Sequence, residues 1–341
     1  MNITEVSGRD AGIDSFVESH AAGNICHTTA WSCMLQEHRG YSTHYLAAYE
    51  GQSLRGVLPL THVKSALFGN RLVSQAHSNY GGVLADDAQA TEALYQHAVQ
   101  LAGSLGCQAV DFRSTTPLPH DLPMRQGKIS MHLPLTADPE DLWKGFDPKV
   151  RNQVRKAQKS ELVADQGGLE LVDEFYELYT IRMRDLGTPP YHRDLYKGIL
   201  TAFPNNSRIF VVRQGTLTLG AGMVTAWNGF VEIPSAATRV EFNNLCPNNL
   251  LYWSIMEHYC RQGMKTFDFG RCTVESNTYR FKKQWDSQAV DLYYQSWVKD
   301  GARAGDADHD DAGNQWKIRL WKRLPLWVTR KLGAKISRGL A

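Results

Sequence analysis

The chain has 341 residues, 43% of them hydrophobic, which allows two domains of ordinary size with substantial cores. Lys and Arg number 37 against 35 Asp and Glu, so the net charge does not support a DNA-coating protein. The six cysteines form no C-x-x-C pair and no Cys/His cluster at zinc spacing. This pattern favours reduced core cysteines and predicts no metal site. Without a signal-peptide pattern or a run of about 18 apolar residues, the body of the chain is expected in the cytoplasm.

The first predicted elements are a hairpin, a helix and a strand. HYLAAYEGQSLRGVLPL (44–60) is typical of two strands around a tight turn at Gly51. LAGSLGCQAVDFRST (101–115) predicts a helix end, a glycine and an apolar strand that ends in Asp-Phe-x-Arg.

A linker and two helices are predicted next. LTADPEDL (135–142) lies in a proline-punctuated stretch and is expected to connect two units. The segment 140–160 predicts a strongly basic helix with a narrow apolar stripe. DEFYELYTIRMRDLG (173–187) predicts an amphipathic helix that stops at Gly187.

The second half of the chain repeats the first. RIFVVRQGTLTLGAGMV (208–224) resembles the early hairpin, and YCRQGMKTFDFGRCT (259–273) resembles 101–115. The pairs Gly106/Gly263 and Asp111/Asp268 keep the same separation. Matches in the same order indicate a duplicated unit of hairpin, strand, helix and strand, hence an α/β or α+β fold with mixed sheets. We expect a first domain at 1–135 and a second, with extra helices, at 136–299.

The tail differs from the rest. Residues 300–314, rich in small residues and Asp, predict a flexible linker. All charged residues of 315–341 are Lys or Arg, and tryptophans are interleaved with them. Such a basic amphipathic helix favours peripheral contact with the inner face of the cytoplasmic membrane, on the view that the linker frees it from the body. The alternatives are a helix docked on the core with solvated cations and, third, a nucleic-acid contact.

FKKQW (281–285) places two lysines between aromatic residues. If this segment is a strand, Lys283 shares the face of Phe281 and Trp285, and Lys282 points the other way. This alternation of faces along a strand, the parity argument, does not decide whether Lys282 or Lys283 has a functional role. The alternative is that both are solvent-facing charges on a β-rich surface.

Several motifs, taken in their order along the chain, resemble those of the FemAB (FemABX) family of aminoacyl transferases. The resemblance covers about residues 25–295. The motifs are NYGGVLADD (79–87), RNQVRKAQK (151–159), FYELYTIRMRDLGTP (175–189), the helix 247–263, FDFGR (267–271) and FKKQW. The resemblance implies two tandem acyltransferase-like (GNAT) domains. RGVLPLTHVKSALFGNRLVS (55–74), MRDLGTP (183–189) and WKRLPL (321–326) look most like the subgroup associated with exosortase/PEP-CTERM exopolysaccharide systems.

The resemblance implies transfer of an acyl or aminoacyl group to an amine of a cell-envelope or exopolysaccharide precursor, of the peptidoglycan-peptide type in the family. It matches Lys282 with a lysine that faces the reacting carbonyl, and Lys283 is the second candidate. A fixed cation there stabilises the tetrahedral oxyanion, where loss of one donor costs about 3 kcal/mol. Substrate-binding positions of the family match Trp31, Tyr80, Asp86, Arg184, Tyr191 and Phe281.

Each match has an ordinary structural alternative. A lone Trp31 is more often core, and the Gly81-Gly82 pair beside Tyr80 is as often a simple turn. Arg184 suits bidentate phosphate binding, but an ion pair with Asp185 or Glu177 competes with that interpretation. Asp268 and Arg271 are assigned a structural role first.

The chain departs from relatives at two places. Acetyl-CoA enzymes need a glycine-rich loop before a helix to hold the pyrophosphate, whereas TRVEFNNLCPNN (238–249) contains no glycine, so we expect no CoA cofactor. No heptad arm of the kind associated with tRNA occurs, which puts an aminoacyl-tRNA donor in doubt. Two alternatives therefore stay open: a non-catalytic membrane-surface scaffold of a polysaccharide system, and a CoA-dependent N-acetyltransferase.

Overall fold

A computed structural model of the chain describes residues 1–66, 68–125, 127–300 and 315–340. The chain forms two compact units. Unit 1 comprises Met1–Gly127, Asp291–Asp311 and Lys335–Ala341, and unit 2 comprises Lys128–Val290 and Ala312–Ala334. The predicted flexible linker, apart from residue 300, lies outside the described residues.

The strands, in chain order, are β1 (Asn2–Val6), β2 (Ser42–Glu50), β3 (Ser53–Ser65), β4 (Gly69–Val73), β5 (Leu84–Ala85), β6 (Ala109–Ser114), β7 (Met124–Arg125), β8 (Lys128–Pro134), β9 (Val163–Gly167), β10 (Ser207–Gln214), β11 (Leu217–Trp227), β12 (Phe230–Thr238), β13 (Thr266–Asp268), β14 (Cys272–Thr273), β15 (Gln288–Asp291) and β16 (Tyr293–Val298). The helices are α1 (Ala11–Ser19), α2 (Thr29–Arg39), α3 (Ala88–Ser104), α4 (Pro139–Gly145), α5 (Pro148–Lys159), α6 (Val172–Leu186), α7 (Arg193–Ala202), α8 (Pro247–Arg261), α9 (Asn277–Lys283), α10 (Gln315–Arg323) and α11 (Leu326–Ile336).

Unit 1 is built on a mixed sheet of order β1-β2-β3-β4-β6-β16-β7. Its central strands are buried on both faces, as β2 illustrates. Tyr45 and Ala47 point into one apolar cluster with Ile13 of α1, whereas Leu46 and Ala48 point into a second cluster with Leu94 of α3. This alternation follows from the two-residue period of a strand and places helices on both sides of the sheet.

Unit 2 has a sheet of the same pattern, with order β9-β10-β11-β12-β13-β8-β14. Helices α5 and α8 pack on each other, and α8 packs on β10 and β11. Helix α6 packs on β11 and β12, and it ends at Gly187, whose φ of 80° is a left-handed helix cap. The sheet therefore lies between two helical layers.

The two sheets confirm the predicted fold class and repeat. In unit 1, β3 and β4 are antiparallel, and β4 and β6 are parallel around helix α3. In unit 2, β11 and β12 are antiparallel, and β12 and β13 are parallel around helix α8. The matching topology places Asp111 of β6 and Asp268 of β13 at equivalent positions.

The compact units differ from the predicted limits of 1–135 and 136–299 at two strands. Strand β8 pairs with β13 in unit 2, although it precedes the predicted linker. Strand β16, expected in the second domain, pairs with β6 in unit 1. In each sheet, the last strand of the parallel pair is therefore flanked by a strand from outside the repeated hairpin-strand-helix-strand segment. This strand is β16 in unit 1 and β8 in unit 2.

The tail forms α10 and α11 and packs against the body. Helix α10 contacts α6, and the Arg330 Nε of α11 donates a 2.9 Å hydrogen bond to the Thr180 Oγ1. In unit 1, Arg338 donates a 2.6 Å hydrogen bond to the Gly40 carbonyl. The view that the linker frees this segment from the body was therefore wrong, because the inward side chains of the tail have partners on the folded units.

Gly82 provides a test of the packing in unit 1. A Cβ at Gly82 would lie 1.8 Å from the Ser114 Oγ and 2.8 Å from the Arg113 carbonyl oxygen, both on β6. We expect Gly82→Ala to destabilise the protein by about 1–3 kcal/mol, because the backbone must shift. The measurement is the midpoint of urea unfolding, followed by fluorescence.

Gly103→Ala is the matched control. A Cβ at Gly103, on α3, meets nothing within 4 Å, so this change should stabilise the helix by about 0.5–1 kcal/mol. Equal midpoints for the two variants would contradict the close approach of Gly82 to β6.

Candidate functional site

The parallel pair in unit 2 separates at one point. Strand β12 pairs with β13 from Phe230–Thr266 to Glu232–Asp268, and β12 then continues to Thr238 without a β13 partner. Beyond Glu232 and Asp268 the two strands diverge. In sheets of this kind, ligands bind outside the carboxyl ends of parallel strands, so this split is the natural place for a site.

Asp268 lies at the start of the split and is fully buried. Its Oδ1 accepts hydrogen bonds from the Ser130 hydroxyl and, at 2.8 Å, from the Gly270 N–H. The Nε2 of His132, on the neighbouring strand β8, lies 3.8 Å from the same oxygen. A buried carboxylate with these donors is a fixed negative charge beside the split.

Lys282 lies on α9 and reaches back toward the split. Its side chain is buried, with the residue 3% exposed. The Nζ donates to the Gly270 carbonyl at 2.5 Å and to the Arg271 carbonyl at 3.1 Å. Two of its three N–H groups are thereby used, and no described residue accepts the third. The ammonium group is held by backbone oxygens and keeps one donor for an incoming atom.

The pKa of Lys282 is lowered from its ordinary value of 10.5, because burial disfavours the charged form. Cys272, Asp268 and Glu232 oppose that effect, and Arg271 adds to it. Glu232 is itself only 6% exposed. The cation is therefore desolvated and faces buried acidic groups, as in a site built to stabilise developing charge.

The FKKQW segment is not a strand, which overturns the parity argument. Asn277–Lys283 forms helix α9, capped by a hydrogen bond from the Tyr279 N–H to the Ser276 hydroxyl. Because successive helical side chains fan around the axis, Lys282 points inward whereas its neighbour Lys283 is exposed. The Nζ of Lys283 lies 5.7 Å from the centre of the Tyr279 ring. The interpretation of both lysines as surface charges is wrong for Lys282.

Aromatic packing fixes α9 in place. Trp285 is fully buried, with its ring 5.1 Å from that of Phe146. Phe281 is partly buried, and its ring lies 5.1 Å from the Tyr252 ring. These contacts anchor both ends of the segment around Lys282, so the direction of its side chain is set by the core.

His132 was not predicted from the sequence. Its imidazole is 20% exposed and meets the Phe230 ring edge-on at 5.3 Å. Burial lowers the pKa of His132, and the nearby Asp268 partly opposes this. A neutral imidazole at physiological pH can accept a proton. A single His in KISMHLP (128–134) carries no motif, and only the pairing of β8 with β13 reveals its neighbour.

The equivalent position in unit 1 is closed. Asp111 forms a 3.3 Å ion pair with Arg71 and accepts a 2.7 Å hydrogen bond from the Ser296 hydroxyl. Beyond it, the Ser74 N–H donates to the Asp111 carbonyl and the Gly82 N–H to the Arg113 carbonyl, each at 2.8 Å. Unit 1 therefore has a structural ion pair and backbone bonds where unit 2 has a split.

The register explains why the two acids differ. Asp111 pairs with Val73 of β4, and Asp268 pairs with Glu232 of β12. Two residues before these partners, β4 of unit 1 has Arg71 and β12 of unit 2 has Phe230. Phe230 therefore occupies, in unit 2, the strand position that Arg71 has in unit 1.

Three predicted binding residues lie in unit 1. Trp31 on α2 is 4% exposed and Tyr80 is 6% exposed, so both are core residues. Asp86 forms a 3.3 Å ion pair with Arg55. Their predicted roles in binding stay predictions.

Of the other three predicted binding residues, Phe281 lies on α9, and its predicted binding role stays a prediction. Arg184 and Tyr191 lie at the end of α6 and in the segment before α7. The Nε and one terminal nitrogen of Arg184 bond to the Asp185 carboxylate at 3.1 and 3.0 Å, which is the competing ion pair. The Tyr191 N–H donates to the Tyr179 hydroxyl at 3.2 Å. Neither contact requires a phosphate, and their binding roles stay predictions.

The start of α8 does not fit the pyrophosphate of CoA. Val240–Leu245 forms a 3₁₀ helix in place of a glycine-rich loop, and Pro247 occupies the first turn of α8, where it removes one N–H. The Asn249 N–H is bonded to the Cys246 carbonyl at 3.1 Å. Few backbone donors are left to cradle phosphate oxygens there.

The described residues contain no group of three or more His, Cys, Asp or Glu placed to hold a metal ion.

Comparison with known proteins shows the fold. Residues 146–283 match the family described as "Acetyltransferase (GNAT) domain". No curated protein shows significant sequence similarity to this chain. Because the matched stretch contains β12, β13, α8 and α9, the split lies inside a GNAT domain.

Solved structures extend the likeness to the whole chain. The crystal structure of FemX aligns with a TM-score of 0.68 at 15% identity, over 88% of this chain and 98% of that one. L-PGS from Bacillus licheniformis aligns at 0.55 and 11%, over 94% and 99%. A tandem GNAT protein from the clavulanic acid pathway aligns at 0.54 and 13%, over 90% and 99%. These likenesses confirm a tandem GNAT architecture.

The unequal exposure of two adjacent lysines can be tested directly. With a limiting amount of an amine-acetylating reagent, we expect Lys283 to be modified and Lys282 to be protected, because only the former is exposed. Peptide fragmentation by mass spectrometry separates the two sites. In urea both should react, and equal labelling of Lys282 in the folded protein would contradict its burial.

Proposed function

We propose that this chain, which has a tandem GNAT fold, is an acyltransferase. It transfers an acyl group, of the aminoacyl type, to an amine of a cell-envelope or exopolysaccharide precursor. One observation carries this proposal: the buried Lys282 ammonium, fixed by two carbonyls beside the strand split. A surface scaffold would have no need of a desolvated cation there.

Lys282 supplies the electrostatic part of the chemistry. A neutral amine attacks the carbonyl carbon of an acyl ester, and the carbonyl oxygen becomes negative in the tetrahedral intermediate. The third N–H of Lys282 donates to that oxygen, and burial strengthens the interaction. The C–N bond is formed in that intermediate; the carbonyl then re-forms as the C–O bond to the donor breaks, and the amide and the donor hydroxyl are released.

His132 supplies the proton transfers. Its neutral imidazole accepts the proton that the attacking amine loses and returns it to the departing oxygen. The Asp268 carboxylate, 3.8 Å away, stabilises the imidazolium formed in between. Ser130 and Gly270 hold that carboxylate in position.

The donor is inferred from two observations. The 3₁₀ helix before α8 and Pro247 in the first turn of α8 disfavour CoA. The likeness to FemX and to L-PGS supports an activated aminoacyl ester, such as aminoacyl-tRNA. The acceptor is then an amine on a peptidoglycan-type peptide or on a glycan precursor, and the exosortase/PEP-CTERM association rests on the sequence motifs alone.

The role of Lys282 predicts a large loss of transfer in Lys282→Met. Losing one oxyanion donor costs about 10²–10³-fold in rate. The measurement compares envelope precursors by mass spectrometry in cells that lack the chain and in cells that carry each variant.

Lys283→Met is the matched control, because this exposed neighbour on α9 should retain transfer within about twofold. Thermal unfolding of both purified variants checks the fold. Near-normal transfer by a folded Lys282→Met protein would contradict the proposed role.

The role of His132 predicts a pH dependence. Because burial lowers the pKa of His132, the base is neutral above the ordinary histidine value of 6.5, and the fall in kcat/KM that its protonation causes should lie on the acid side of that value. In His132→Gln we expect a loss of about 10²-fold and no such acid limb. The measurement is the initial rate of amide formation as a function of pH. The donor used is of the class that the mass of the transferred group identifies.

His258→Gln is the control for this profile. His258 on α8 also has a pKa lowered by burial, but it bonds to Gln166 and Gln262. This variant should keep both rate and acid limb. An unchanged profile in His132→Gln would remove that residue from the chemistry.

A further inference from the structure

The tail helices are held to the body along one side. A Cβ at Gly187, which ends α6, would lie 2.5 Å from the Ile318 Cγ2 of α10. On α11, a Cβ at Gly333 would lie 2.3 Å from the Pro190 Cδ. Thr329 of α11 is fully buried. Together with the Arg330–Thr180 hydrogen bond, these contacts fix which face of each helix points outward.

The outward face is unusually apolar for a surface. Trp327 is 70% exposed, Trp316 is 62% exposed, Leu320 is 54% exposed and Leu332 is 44% exposed. Trp316 and Leu320 are four residues apart and therefore lie on one face of α10. Exposing two tryptophans and two leucines to water is unfavourable, so a cluster of this kind marks a contact surface.

The same face is strongly basic. The exposed cations on the outward side of the two helices are Lys317, Arg319, Arg323, Lys331 and Lys335. Lys322 is also exposed, but its Cε would lie 3.2 Å from a Cβ at Gly187, on the side of α10 that Ile318 occupies. The sequence from 315 to 341 contains no Asp or Glu. Trp327, Lys331 and Lys335 are spaced by four residues, so aromatic and basic side chains share the outward side of α11.

We propose that this tail face, formed by the outward side chains of α10 and α11, binds an anionic lipid bilayer surface. Lysine and arginine are attracted to anionic headgroups, and tryptophan prefers the headgroup boundary. Leu320 and Leu332 favour acyl chains and gain nothing from the charged backbone of a nucleic acid. This argues for lipid over RNA.

The contact lies on the surface of the bilayer. Among the described helices, none combines the length and apolar character needed to cross a membrane. Helices with apolar and basic side chains on one face lie in the plane of the interface. Since α10 and Arg330 are held on unit 2, the bilayer orients unit 2. This inference does not depend on the transfer chemistry, although a lipid-linked acceptor would suit it.

Vesicle sedimentation with the full chain tests the proposal. The probes are vesicles of phosphatidylcholine alone and vesicles with about one-third phosphatidylglycerol, at low ionic strength. We expect binding only to the anionic vesicles, partly lost at high salt because surface charges are screened. Trp316→Ser/Trp327→Ser should weaken binding by at least about tenfold, since both rings leave the interface.

The charge contribution has a matched control. Lys317→Gln/Lys331→Gln/Lys335→Gln should also weaken binding by at least about tenfold. The triple change Lys149→Gln/Lys156→Gln/Lys159→Gln removes as many exposed lysines from α5, a basic helix without exposed tryptophan, and should leave binding within about twofold. Circular dichroism confirms that each variant is folded.

Three results would overturn the proposal. The first is no binding of the wild-type chain to anionic vesicles. The second is equal loss in the α5 and tail lysine variants, which would show an unspecific charge effect. The third is RNA binding that depends on the tail residues while vesicles are ignored, which would identify nucleic acid as the partner.

Discussion

The parallel pairing of β12 and β13 ends at Glu232 and Asp268, and the candidate site follows from that limit. A sheet that continued to pair would bury its backbone groups in a ladder and leave no opening. Here the chain turns away through Gly270, whose φ of 75° favours glycine. The Gly270 carbonyl is thereby free to accept from Lys282, so one backbone turn both opens the sheet and holds the cation.

Unit 1 contains the equivalent parallel pair, β4 and β6, and there the position beyond the pair is closed. Arg71 neutralises Asp111, and the close approach of Gly82 to β6 completes the backbone bonding. In unit 2, Phe230 replaces the arginine and the acid faces Lys282 and His132 instead. Two copies of one fold have thus diverged into a structural half and a half with a desolvated cation, which is a sign of function more than of stability.

Much of the fold could be predicted from the sequence, because the repeats keep both order and spacing. The site was predictable only in part. Lys282 was found through a motif, but seven residues do not separate a helix from a strand, and the parity argument failed for that reason. His132 has no local signal, since its partner Asp268 is distant in sequence. The docking of the tail depends on Gly187 and Gly333, whose close contacts no hydrophobic pattern reveals.

The role of Lys282 is best tested by a crystal structure of the chain bound to a phosphonate analogue of the tetrahedral intermediate. We expect a phosphonyl oxygen within hydrogen-bonding distance of the Lys282 Nζ, in the split between β12 and β13, with the amine side toward His132. An analogue bound elsewhere, with no phosphonyl oxygen near the Lys282 Nζ, would contradict the proposed role of this residue.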